Sequence, residues 1–127
     1  MLTKVTHLTL FVIDQDAALD FYKKIGFEVH TDADFDGFRW LTMCLPEQKD
    51  FEFALIKAET PEEQALVGKQ AGEKPLFNLE TNDCRNDYER LKGVGVTFIE
   101  EPAEQPWGVS AAFNDVSGNV IYMCEER

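Results

Sequence analysis

Residues 7–30, HLTLFVIDQDAALDFYKKIGFEVH, carry the pattern that decides the fold, because residues 76–99, LFNLETNDCRNDYERLKGVGVTFI, repeat it without a gap. The offset is 69 residues, and four identities fall inside the window: Leu10 with Leu79, Asp14 with Asp83, Lys23 with Lys92, and Gly26 with Gly95. Residue class agrees more widely than identity. In both copies an alternating apolar run meets an acidic stop, then a helical stretch, a glycine and a second alternating run. A repeat of this period means two supersecondary modules in one chain.

In the first copy, Leu8, Leu10 and Val12 point to one side of a strand and His7, Thr9 and Phe11 to the other. Asp14 or Asp16 can cap the helix that follows. Ala18, Phe21, Tyr22 and Ile25 form its apolar face, and Gly26 ends it where a left-handed residue is wanted. Residues 27–31 read as a second strand, residues 32–37 (DADFDG) as an acidic turn, and residues 38–45 (FRWLTMCL) as a third strand. Residues 46–50 (PEQKD) are a turn, and residues 51–57 (FEFALIK) a fourth strand. Thr60, Pro61 and Glu63 then spell a capping box for a short helix between the modules.

Beyond it the pattern restarts, with Asp83 standing where Asp14 stood. Strands are expected at 75–81, 96–101, 109–115 and 120–126, and a helix at 83–93. The order is βαβββ twice. This is an α+β fold whose helices cover one face of a curved mixed sheet and leave a concave cleft on the other. At 127 residues the chain is one domain, with module one at about 1–58, a linker at about 59–74 and module two at about 75–127.

Composition narrows the partners. The chain has 24 acidic and 12 basic residues, a formal net charge of −12. Such a surface repels phosphate backbones and anionic lipid, so neither nucleic acid nor membrane is an expected partner. No segment approaches spanning length, and the N-terminal apolar run is too short and strand-like for a secretory signal. Cys44, Cys84 and Cys124 are odd in number and lack a CxxC spacing, which fits reduced thiols in the cytoplasm. His30 is expected to be exposed and without a role, and Arg39 to be a solvated strand residue.

The segment TLFVIDQDAALDFYKKIGFEV (9–29) resembles the opening of the vicinal oxygen chelate superfamily. That superfamily holds glyoxalase I, bleomycin- and fosfomycin-resistance proteins and extradiol dioxygenases. The segment GVTFIEEPAEQPWGVSAAFNDVSGNVIY (95–122) resembles its tail, with a Pro-Trp-Gly approach and an Asp-x-x-Gly-Asn turn.

The resemblance implies a fold but not one reaction. Metalloenzymes of the superfamily hold a divalent ion on the first and last strands of each module. Here His7 and Glu52 match those positions, while Leu76 and Tyr122 stand at their counterparts in module two. A catalytic ion generally needs three protein ligands. Leu76 cannot ligate, Tyr122 would have to lose its phenolic proton, and Asn78 offers only an oxygen two residues away.

The expected function is therefore binding of a small, partly apolar or aromatic molecule, with no cofactor or conventional metal site. Phe11, Phe38, Trp40, Leu76, Asn78, Trp107, Phe113 and Tyr122 are its expected lining. The alternative is a glyoxalase-type lyase or isomerase in which His7, Glu52 and Tyr122 hold zinc, nickel, manganese or iron. A dioxygenase is a further alternative. His7 and Glu52 either hydrogen-bond each other across neighbouring strands or act together as an acid–base pair. The resemblance also implies a homodimer.

Overall fold

The structure, a computed structural model, describes residues 1–126. The chain divides into two compact units, Met1–Gly68 and Lys69–Arg127.

In the first unit the elements run β1 (His7–Val12), α1 (Gln15–Lys24), β2 (Glu28–Phe35), β3 (Phe38–Leu45), β4 (Gln48–Lys57) and α2 (Pro61–Leu66). The strands form a sheet in the order β1-β4-β3-β2. β1 lies parallel to β4, and the other neighbours are antiparallel. The second unit repeats this with β5 (Pro75–Glu80), α3 (Cys84–Gly93), β6 (Phe98–Gln105), β7 (Gly108–Asn114) and β8 (Val120–Glu126), in the order β5-β8-β7-β6.

The expected βαβββ order thus appears in both units. The positions shared at an offset of 69 do the same work in each. Asp14 caps α1 by accepting from the Ala17 amide, and Asp83 caps α3 by accepting from the Asn86 amide. Gly26 and Gly95 follow the two helices with φ of 118° and 94°, a conformation costly for residues with a Cβ. The capping box at Thr60 and Glu63 is formed as the sequence spells it.

The helices α1 and α3 each pack on one face of their own sheet. Under α1, the Tyr22, Phe27 and Phe53 rings meet edge-on or tilted at 5.4–6.3 Å, with Leu10, Leu41, Met43 and Leu55 buried beside them. Under α3, Tyr88 meets Phe98 edge-on at 4.6 Å and Phe98 meets Phe113 tilted at 5.4 Å.

Three strands run further into their connections than the sequence implied. The acidic stretch 32–37 is strand as far as Phe35. The turn itself is Asp36-Gly37, both with positive φ, the geometry that a two-residue hairpin of this twist requires. Cross-strand pairing with β3, including Asp32 with Leu41, overrides the poor strand propensity of the aspartates. In the same way β4 begins at Gln48, and β6 runs through Pro102 to Gln105. Pro102 is accommodated where the β6–β7 register slips between Glu100 and Ala103.

Candidate functional site

Side chains alternate across a strand, so each sheet has a second face, opposite its helix. In the first unit that face carries His7 and Phe11 from β1, Phe38, Trp40 and Thr42 from β3, and Glu52 from β4.

Glu52 is the hub. It pairs in register with His7 across the parallel β1–β4 ladder, which places the His7 Nε2 3.2 Å from Oε2. The buried Thr42 hydroxyl donates to Oε1 at 2.7 Å. The His30 Nδ1 reaches the same Oε1 at 3.0 Å. His30 was expected to have no role. It arrives because β2 bulges between Val29 and Thr31, leaving His30 as the extra residue opposite Thr42. No glycine or proline marks that bulge, so the sequence carries no signal for it. The Trp40 ring lies 5.5 Å from the His7 ring, and Phe38 is exposed further along the same strand.

The Cys44 thiol on β3 is buried. Burial pushes its pKa up, and the nearby charges of Glu28 and Glu52 add to the rise, so it is held as a thiol rather than a nucleophilic thiolate.

Arg39 faces the other way. It lies against α1, where it binds Asp32 through two hydrogen bonds and Asp16 through a third. It is a structural clamp rather than the solvated residue expected. These contacts hold the Asp32 carboxyl below its ordinary range and raise the guanidinium further.

In the second unit, the face opposite α3 forms an open cavity of about 420 Å³, lined by Asn78, Glu80, Trp107, Tyr122, Cys124 and Glu126 among others. Asn78 and Tyr122 are register partners across β5 and β8, and Glu80 and Cys124 are the next such pair. Trp107 sits half exposed in the β6–β7 turn. Three expected lining residues therefore meet here, together with Glu80, Cys124 and Glu126. Period-2 alternation accounts for Asn78 and Tyr122, which lie in regular strands, but not for Trp107, which lies in a turn.

Two lining residues expected in the second unit lie away from the cavity. Phe113 is fully buried against Phe98, because Val109, Ala111 and Phe113 share the α3 side of β7. Leu76 falls where the β5–β8 register slips between Pro75 and Phe77, and it does not border the cavity. Tyr122 is consequently the neighbour of Asn78 rather than of Leu76.

The donor set does not match the metal constellation of the resemblance. His7 and Glu52 meet in the first unit, but Leu76 has no donor atom. The His7 and His30 imidazoles contact opposite oxygens of Glu52. Among the described residues, no three His, Cys, Asp or Glu side chains are grouped to hold an ion.

A sequence model of the Glyoxalase/Bleomycin resistance protein/Dioxygenase superfamily matches residues 4–123. The chain belongs to that superfamily. Similar proteins cover nearly its whole length. The YurT protein of Bacillus subtilis (strain 168) is 35% identical over 126 residues, covering 97% of this chain and 99% of its own length. The crystal structure of UcmS2 superposes with a TM-score of 0.87 at 35% identity, covering 99% of this chain and all of its own. TnmS3, an antibiotic binding protein from Streptomyces sp. CB03234, superposes with a TM-score of 0.81 at 29% identity, covering 99% of this chain and 98% of its own. Among the described residues, no helix is long and apolar enough to cross a membrane.

Proposed function

We propose that this superfamily member is a binding protein for a small, partly aromatic molecule, held without a conventional metal site. The observation that carries the reading is the cavity of about 420 Å³ in the second unit, with Trp107 and Tyr122 as aromatic surfaces and Asn78 as a donor and acceptor. A concave site with aromatic walls and a few polar groups is the general form of a small-molecule pocket. The likeness to an antibiotic binding protein at 29% identity over nearly the whole chain supports the same reading. Glu80 and Glu126 border the cavity, so neutral or cationic ligands suit it better than anions. Leu76 and Tyr122, standing where the superfamily's metalloenzymes place ligands, favour binding over a metal-dependent lyase, isomerase or dioxygenase.

The test is a panel of planar aromatic compounds, screened by thermal shift and by quenching of tryptophan fluorescence. At least one saturable ligand is expected, with its affinity lowered by Trp107→Ala. A panel without any saturable response overturns the reading. Metal analysis of tag-free protein tests the metal-free part, which stoichiometric zinc, nickel, manganese or iron would overturn. A homodimer in the cytoplasm completes the proposal, and light scattering checks the oligomeric state.

A further inference from the structure

The contacts around Glu52 distinguish the two histidines. A carboxylate oxygen accepts hydrogen bonds and does not donate them, so the imidazole nitrogen facing it carries the proton. For His7 that nitrogen is Nε2. Its Nδ1 is then a bare acceptor, and the Thr6 hydroxyl fills it at 2.8 Å. Both ring nitrogens of His7 are thus satisfied within the protein.

For His30 the nitrogen facing Glu52 is Nδ1, which also touches the Thr31 hydroxyl at 2.9 Å. Its Nε2 has no hydrogen-bonding partner among the described residues, and the side chain is 38% exposed. With the proton fixed on Nδ1, the Nε2 of a neutral His30 presents a lone pair outward. Carboxylate contacts of this kind routinely set which ring nitrogen of a histidine is left to act.

The surroundings indicate what that acceptor would meet. Beyond the β2 bulge, Ala33 pairs with Trp40 and Phe35 with Phe38, so both phenylalanines lie on the His30 side of the sheet. Phe35 and Phe38 are exposed at 63% and 42%. Three aromatic residues therefore run from the hairpin tip toward the Glu52 cluster. An aromatic ligand on this face would be offered rings along one side and one fixed acceptor at the end.

We propose that His30 is a ligand-contacting, specificity-determining residue whose Nε2 accepts a hydrogen bond from a hydroxyl of an aromatic ligand, a phenol or an enol. Glu52 and Thr42 are positioning residues that fix its tautomer and ring orientation, and His7 braces Glu52 from the other side. The inference rests on the small-molecule reading above and adds a ligand-contacting surface on the first unit, with the chemical class of molecule it would take.

The experiment compares 7-hydroxyflavone with its 7-methyl ether, which lacks the donor. Binding is followed by tryptophan fluorescence in the wild type and in His30→Ala, His30→Gln and His7→Ala, with far-ultraviolet circular dichroism confirming that each variant is folded. The wild type should bind the phenol about tenfold tighter than the ether, the scale of one partly exposed hydrogen bond. His30→Ala should bring the two within about twofold by weakening the phenol alone. His30→Gln, whose amide oxygen can accept, should restore part of the preference. His7→Ala should retain more of it than His30→Ala.

Equal wild-type affinities, or a preference unchanged in His30→Ala, overturn the role of His30 and leave the small-molecule reading standing. If the wild type binds neither flavone, the role of His30 falls. If the wider aromatic panel is also silent, the small-molecule reading falls with it.

Discussion

Arg39 and Asp32 meet as a two-pronged pair, Nε to Oδ1 and Nη2 to Oδ2, each at 2.9 Å. The third arm, from Nη1 to Asp16 at 2.7 Å, joins the strand pair to the first turn of α1. Lysine offers a single point charge and cannot reproduce the fork. Arg39→Lys should therefore lower stability by about 1 kcal/mol in urea titrations, the upper end for partly exposed pairs. Asp32→Asn should have a similar effect.

The same pair predicts a response to acid. Asp32 is held below its ordinary value by Arg39, so the folded state binds this proton less readily than the unfolded chain does. Its contribution is complete above the unfolded carboxyl value, about pH 4, and is lost as pH falls through the lower folded value. The stability difference between wild type and Arg39→Ala should accordingly be constant from pH 7 to about pH 5 and shrink below about pH 4. Urea midpoints measured across that range check it.

Gly108 should be the least replaceable glycine of the second unit. Its φ is 145°, and a Cβ there would fall on the Glu125 carbonyl oxygen, which belongs to the β8 backbone and has no room to move aside. Gly108→Ala should cost more than about 3 kcal/mol or prevent folding. Gly37 also has positive φ, but open space where its Cβ would sit, so Gly37→Ala should cost only about 1 kcal/mol. Parallel urea melts decide the ordering.

Thr42 and Glu52 are both buried and share a 2.7 Å hydrogen bond. Removing one partner strands the other, whereas removing both removes the need for the bond. A double-mutant cycle of Thr42→Val and Glu52→Gln should show coupling of about 1 kcal/mol. Additive effects would detach Thr42 from the Glu52 cluster.

The thiols should differ in reactivity. Cys44 and Cys84 are buried, and burial raises the pKa of both, whereas Cys124 borders the open cavity. Brief iodoacetamide treatment at pH 8, read by mass spectrometry, should label Cys124 well ahead of the other two. A saturating ligand of the cavity should slow that labelling.

The scaffold was legible because its signals are local. Asp14, Asp83, Gly26 and Gly95 act through the backbone beside them, so their types announce their jobs. The His7–Glu52 contact was equally readable, since both belong to regular strands whose alternation survives into the sheet. The failures share a cause too. His30, Leu76 and the ends of β2, β4 and β6 all depend on cross-strand register, which is a property of two segments at once. Phe113 was misplaced because β7 is apolar along most of its length, and a uniformly buried strand does not declare which side faces the core.

The bulge at His30 is an insertion that the ladder absorbs. The two-residue turn at Asp36-Gly37 sets the pairing of β2 downstream of it, and Val29 keeps Met43 upstream. Were His30 removed, the ladder would run from Val29 and Met43 straight on to Thr31 and Thr42, so Asp32 would stay opposite Leu41 and Arg39 would keep its partner on the α1 side. Phe35 would still face Phe38. The clamp that ties helix to sheet and the aromatic tip on the opposite surface are thus indifferent to the inserted position. Deleting His30 would strip out one side chain of the Glu52 cluster and leave the scaffold in register.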